Sequence, residues 1–294
     1  MRGRNLMNKN MIKILAVSSF VLSASFVMAA DGKILATAGL SQVEGSGGGG
    51  LVPWATLAGY DSRDETAASF FMTDVNVSDY RLSSIGASTS FYDRVELSYA
   101  QQTFDLPVDL VKALSVGDIK QDIFGVKVRL YGDVLYSAYP QVSVGLQHKQ
   151  LDSDVVASYL GAKNDSGTDF YVAATKVHLG AVGGYNLVWN LTARATKANE
   201  MGLLGYGGPD NNDYQVMMEG SVGLLLSPNW VVGMEYRQKP SNLSSVEEDD
   251  WKDVFVSYMP NKNVNFTAAY VDLGTVATKK DQTGIYLSMT GYLW

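Results

Sequence analysis

Apolar and polar side chains alternate along much of this chain, a period of two that places one set on each face of a β-strand. Tyr185, Leu187, Trp189, Leu191, Ala193 and Ala195 share one face of a predicted strand, against Asn186, Asn190, Thr192, Arg194 and Thr196. The same alternation sets Val95, Leu97 and Tyr99 against Glu96, Ser98 and Gln102, and Val126, Val128 and Leu130 against Lys127 and Arg129. It recurs with Val142, Val144 and Leu146 opposite Gln141, Ser143, Gln147 and Lys149, and with Val216, Met218, Val222 and Leu224 opposite Glu219 and Ser221.

A soluble β-sandwich would show that pattern too, with its polar face in water. The connections separate the two. They run short at Tyr92-Asp93, long from Asp105 to Lys120, fairly short from Tyr131 to Tyr139, and long from Leu151 to Thr168. The order continues: short from Leu179 to Gly184, long from Lys197 to Asp213, short at Ser227-Pro228-Asn229, long from Gln238 to Asp250, and short at Pro260-Asn261-Lys262. A moderate loop, Gly274 to Asp281, precedes the last strand, Gln282 to Trp294. Tight periplasmic turns alternating with longer external loops are the rhythm of a transmembrane antiparallel up-and-down β-barrel.

Because both ends of such a barrel lie in the periplasm, its strand number is even. Counted from the strand that ends at Phe91 through the last one, eleven strands are predicted, and Thr66 to Val75 supplies a twelfth. Lys33 to Val43 and Leu51 to Tyr60 would raise the count to fourteen if they join the wall. The run Gly45 to Gly50 between them suits a lumen insert equally well, because a backbone without side chains can approach the inner wall closely. The predicted organisation is residues 1–30 as a signal peptide, 31–64 as a Gly-rich segment that forms either a first strand pair or an insert, and 65–294 as the barrel.

The first thirty residues carry Arg2, Arg4, Lys9 and Lys13 ahead of an uncharged apolar run from Ile14 to Val27, which is too short to span a bilayer as a helix. Small residues follow, so cleavage is expected near Ala29 or Ala30. Removing these residues leaves 19 Lys+Arg against 30 Asp+Glu, a net charge of −11, which argues against a nucleic-acid partner. The sequence has no cysteine, which excludes disulfides, thiolate metal sites and a lipoprotein anchor. No later apolar run reaches the length of a helical span.

Phe91, Tyr92, Tyr131, Tyr139, Tyr185, Trp230, Tyr258, Tyr292 and Trp294 gather near the predicted short turns, as an interfacial aromatic girdle requires. Tyr292 and the terminal Trp294 resemble the C-terminal signal read by the barrel-assembly machinery, although Ser288 and Thr290 stand where apolar residues are usual and Leu287, Met289 and Leu293 make the greasier face.

Gly47-Gly48-Gly49-Gly50-Leu51-Val52-Pro53-Trp54-Ala55, with Ala58-Gly59-Tyr60 and Tyr92-Asp93-Arg94-Val95-Glu96-Leu97, resembles an uncharacterised family of proteobacterial outer-membrane β-barrel proteins catalogued as a domain of unknown function. The resemblance covers most of the mature chain. It implies a barrel fold and the Gram-negative outer membrane, with no established activity and no functional residue to carry over.

Few residues offer chemistry. Gly45, Gly47 and Gly50 satisfy G-x-G-x-x-G, but no βαβ unit surrounds them and nucleotide binding is not expected. Only His148 and His178 are candidates for a catalytic base. Alternation places His148 on the lipid side and His178 on the lumen face beside Lys176, and neither neighbourhood supplies a His-x-Ser, so no catalytic site and no enzyme is predicted. The acidic outer loops, with Glu247-Glu248-Asp249-Asp250 foremost, read as solvated surface, and neither metal nor cofactor is expected.

The predicted lumen charges are more telling. Lys127, Arg129, Lys149, Lys176 and Arg194 form a basic wall, and Glu219, Glu235 and Asp253 a largely acidic one with Arg237 as an exception. Facing each other across water, such walls would orient polar solutes; paired across a narrow barrel, they would close it. The sequence therefore predicts either a passive channel for small hydrophilic solutes or a non-conducting structural or binding barrel, with a hydrolase less favoured. Its expected partners are outer-membrane lipid and lipopolysaccharide, the barrel-assembly machinery and small solutes.

Overall fold

The computed structural model describes residues 33–107, 111–112 and 114–293. The predicted signal peptide and Trp294 lie outside them. Two very short strands come first, β1 (Leu40–Ser41) and β2 (Gly47–Gly48). Twelve wall strands follow: β3 (Thr66–Val77), β4 (Arg81–Phe91), β5 (Val95–Asp105), β6 (Asp118–Tyr131), β7 (Gln141–Leu151), β8 (Ser166–Val182), β9 (Tyr185–Thr196), β10 (Gln215–Ser227), β11 (Trp230–Arg237), β12 (Trp251–Asn261), β13 (Val264–Asp272) and β14 (Thr283–Leu293). Each pairs antiparallel with its neighbours in sequence, and β14 closes the barrel on β3 in the register Gly284↔Val77 to Leu293↔Ala68. Closure satisfies the backbone of both edge strands, the condition for placing a sheet in hydrocarbon.

Side-chain parity separates two environments on every strand. On β10, Val216 is 68% exposed on the outside while Glu219 is 1% exposed on the inside. Phe124, Met234, Val254, Ile285 and Leu287 extend the outward apolar surface. This inversion of a soluble core, greasy without and polar within, is the architecture of outer-membrane proteins.

Apart from the three residues between β3 and β4 at the outer rim and the nine between β6 and β7 at the other, connections are short at one rim and long at the other, the pattern in which the short rim faces the periplasm. At the short rim Gly183 and Gly184 take φ of +58° and +89°, as a two-residue type I′ hairpin turn demands. At the long rim the loops fold inward. A helix α1 (Val155–Leu160) and a 3-10 turn (Asn199–Gly202) bring Val156, Leu160, Met201, Leu203 and Leu204 together with Leu243 and Val246 into one buried apolar cap.

Residues 33–61 add no strand to the wall, so the barrel has twelve strands. The segment enters at the periplasmic rim, ascends inside the lumen, turns at Glu44-Gly45 through the small β1–β2 hairpin, reverses again between Gly48 and Pro53, which returns Leu51 to the level of Glu44, and then runs down to Asp61 before β3 begins. Residues 38–61 are buried throughout. This plug fills the barrel where the sequence alone left a strand pair and an insert both open.

Candidate functional site

The plug has little regular structure, and the wall supplies the hydrogen bonds that its backbone would otherwise lack. Lys127 on β6 and Glu96 on β5 form a buried ion pair, Nζ to Oε2 3.2 Å. The lysine also donates to the carbonyls of Gly47 (2.6 Å) and Thr56 (2.8 Å), and the glutamate accepts the N–H groups of Gly47 (3.0 Å) and Ala58 (2.7 Å). One pair thus holds two stretches of the plug, both beyond its Glu44-Gly45 turn. Ala55 is held likewise: its N–H donates to Thr175 Oγ1 (2.8 Å), and its carbonyl accepts from Ser143 Oγ (2.6 Å) and Gln141 Nε2 (2.7 Å). Thr192 donates to Pro53 O (2.7 Å), and Ser84 to Val43 O (2.7 Å).

The glycine run follows from this closeness. A Cβ at Gly49 would lie 1.8 Å from Oε1 of Glu235, whose other carboxylate oxygen accepts the Leu51 N–H at 2.7 Å. Gly45 turns the tip with φ +99°.

At the tip, Glu44 extends its carboxylate into a cluster of wall cations. Lys149 Nζ bonds Oε1, Arg237 Nη1 lies 2.8 Å from Oε2, and Arg194 Nη2 is 3.6 Å from the same oxygen. Two wall acids complete the cluster: Asp169 pairs with Lys149 (2.7 Å) and Arg194 (3.4 Å), and Glu219 with Arg194 (2.5 Å) and Arg237 (3.5 Å). Burial alone would raise the Glu44 carboxyl, but Arg237, Lys149 and Arg194 hold it well below the usual carboxylate range.

Toward the outer rim a second buried cluster ties loop to loop. Lys239 Nζ lies 2.7 Å from Glu200 Oε1 and 3.8 Å from Glu248 Oε2, and the Glu200 N–H reaches both Glu248 oxygens at 3.0 and 2.9 Å. At the periplasmic rim, Lys33 joins Asp61 (3.2 Å) and Asp93 (3.0 Å), and Arg129 pairs with Asp93 and with Asp133 at 3.3 Å. A cavity of about 210 Å³ opens beside them.

Of the residues singled out from sequence, Lys127, Arg129, Lys149, Arg194, Glu219, Glu235 and Asp253 all face inward. They do not face one another across water: Lys127, Lys149 and Arg194 are 0–1% exposed, and the plug lies between the walls. Asp253 is buried opposite Glu235 in the β11–β12 register.

Lys176 corrects the expectation. Thr175 and Asn190 pair in register and hydrogen-bond inside the barrel, so Lys176 stands on the outward face, and its Nζ turns to the carbonyls of Asp133 and Ser137 in the periplasmic turn. His178, two residues on, shares that outward face and accepts a hydrogen bond from Trp189 Nε1 at 3.0 Å, while His148 is exposed beside Thr168 Oγ1 at 2.9 Å. The cause is the run Val172-Ala173-Ala174, which is apolar on both faces and leaves the parity of β8 unmarked.

Tyr292 is a second correction. It points inward rather than joining the interfacial girdle, donates to Gly39 O at 2.9 Å, and meets Tyr60 edge-on with ring centroids 5.3 Å apart. Tyr92, Tyr131, Tyr139, Tyr185, Trp230 and Tyr258 are exposed outward at the short-turn rim. Glu44 is absent from the predicted lumen charges, as are the wall acids Glu96 and Asp169 that pair with Lys127 and Lys149; a lone acid in a Gly- and Ser-rich stretch carries no pattern.

No curated protein matches the sequence. Among solved structures, the chain is similar to a KdgM porin at 12% identity and TM-score 0.49, covering 76% of this chain and 98% of that one. It is also similar to LpxR from Salmonella typhimurium (12%, TM-score 0.47, 77% and 99% covered) and to outer membrane phospholipase A from Escherichia coli (10%, TM-score 0.39, 81% and 94% covered). At these identities the likeness is one of barrel architecture and bears on no activity. The sequence model of one family matches residues 37–290, nearly all of the plug and the barrel, and the chain belongs to that family, described as Protein of unknown function (DUF3034).

Proposed function

We propose that the protein is an outer-membrane passage for small hydrophilic solutes that is held shut by its own N-terminal plug. The chemistry of the plug–wall contact carries this reading. Hydroxyls, amides and charged groups of the wall, rather than apolar side chains, bind the plug backbone, as Ala55 between Thr175, Ser143 and Gln141 illustrates. A wall so lined stays wettable when the plug leaves, and each direct bond of about 1 kcal/mol net exchanges for one to water. Lys127, Arg129, Lys149, Arg194, Glu219, Glu235 and Asp253 would then border the opened path and set its preference among charged solutes.

The competing reading is a permanently filled barrel with a structural or binding role. The apolar contacts of Leu40, Val43, Leu51, Val52 and Trp54 favour it, since these plug side chains share the main buried cluster with wall residues such as Phe255. Neither reading makes the protein an enzyme, and neither gives His148 or His178 a reaction to perform. Surrounding lipid and lipopolysaccharide, delivery by the barrel-assembly machinery, and cleavage near Ala29 or Ala30 belong to the same proposal.

Single-channel recording in planar bilayers tests it. Folded full-length protein is expected to stay closed with brief openings, and a variant lacking residues 33–61 to conduct in steps. A folded plug-less barrel that passes no current would overturn the passage reading.

A further inference from the structure

The carboxylate of Glu44 occupies a place built by the wall. Lys149 comes from β7, Arg194 from β9 and Arg237 from the outer end of β11, and all three converge on that one group. Within the cluster the wall supplies three cations but only two acids, Asp169 and Glu219. Glu44 brings the missing negative charge. Both its oxygens are used, Oε1 by Lys149 and Oε2 by Arg237 and by Gln42 Nε2 at 2.6 Å.

A buried excess cation is costly, so a barrel without the plug tip would need an anion there. Planar guanidinium groups suit a two-oxygen acceptor. One unit of charge is wanting, so a monoanion restores balance where a dianion would overshoot it.

On these grounds we propose that Lys149, Arg194 and Arg237 form a recognition site for a monocarboxylate solute, that Glu44 is its tethered occupant, and that such a solute competes with Glu44 and loosens the plug tip. The regulatory half rests on the passage reading; the binding half does not. Because solute and plug tip exclude each other, the coupling is reciprocal: whatever stabilises the docked plug weakens the solute.

Chemical rescue tests the site. Glu44→Ala removes the tethered carboxylate and leaves the cations in place. Purified Glu44→Ala, folded in detergent, is expected to melt below the wild type, and sodium acetate at constant ionic strength to recover about half or more of the lost Tm through binding to the folded state. Acetamide, the neutral isostere, is expected to recover none, and a Glu44→Ala/Arg237→Ala double variant to respond weakly. Should Glu44→Ala fail to fold, acetate in the refolding buffer must restore the folded yield where acetamide does not. Equal effects of acetate, acetamide and chloride, or full acetate rescue in the double variant, would overturn the site. Rescue by acetate together with a plug-less barrel that never conducts would leave the site standing and defeat the passage reading; conduction without rescue would do the reverse.

Discussion

Oε2 of Glu44 lies 2.8 Å from Nη1 of Arg237, a contact between residues 193 positions apart that fastens the tip of the plug to the outer end of β11. The pair is shielded from water, so its loss is not screened as a surface ion pair would be. Glu44→Gln keeps the shape and removes the charge, and is expected to weaken tip docking by about 3 kcal/mol. Hydrogen exchange is the measurement: amides of residues 42–52 should lose protection by about two orders of magnitude while β5 to β7 keep theirs.

A side chain at Gly49 should act on the same segment by contact rather than by charge. Gly49→Ala places a methyl 1.8 Å from Glu235 Oε1, and that carboxylate is already fixed by Leu51 N–H and Ser221 Oγ. The clash is expected to cost about 1–3 kcal/mol. It should appear as faster exchange of the Leu51 amide, whereas Gly117→Ala, whose Cβ meets nothing within 4 Å, should leave the plug untouched.

The loop cluster at the outer rim should make the cap sensitive to pH. Burial pushes the Glu248 carboxyl up to about 8, with Lys239 opposing the rise and Glu200 adding to it, and burial raises Glu200 as well. A carboxyl whose folded value exceeds its ordinary 4.5 lends stability that is complete below 4.5 and lost as the pH climbs through about 8. Thermal melting should therefore show Tm falling between pH 5 and 8 more steeply in the wild type than in Glu248→Gln. Parallel curves would mean that the cap does not report this group.

Tyr292 links the last strand to the plug, donating to Gly39 O and accepting from Asn265 Nδ2 at 2.7 Å. Tyr292→Phe keeps the ring against Tyr60 and deletes the hydroxyl, for an expected loss of about 1 kcal/mol. Faster exchange near Gly39 with an unchanged barrel is the expected sign. An effect on outer-membrane assembly with no effect on the plug would instead return Tyr292 to a purely interfacial role.

The wall could be read from the chain because lipid imposes a strict rule there: Val95, Leu97 and Tyr99, or Leu187, Trp189 and Leu191, must all face hydrocarbon. Where both faces are apolar the rule gives no signal. On β8, Ala173 lies against plug residue Ala55 while Val172 faces lipid, and without a polar partner for contrast the alternation points Lys176 and His178 to the lumen rather than to the outward face they occupy. The lumen obeys a different logic. Tyr292 and the charges around Glu44 are set by contacts with a segment 105 to 253 residues away, and no local period records such pairings. Loop lengths gave the strand count and orientation, but not that the Gly-rich segment would be the object the inner wall is built to hold.

Ala55 offers the most direct test of whether that segment closes the barrel. It packs against Ala173 and Tyr171 in a small buried cluster, and the sequence contains no cysteine to interfere. An Ala55→Cys/Ala173→Cys variant should form a disulfide on oxidation and lock the plug to β8. Recorded in planar bilayers, the oxidised protein should pass no current, and the same preparation should show stepwise openings once reduced. Openings of equal frequency in the oxidised and reduced states, or none in either, would contradict the account.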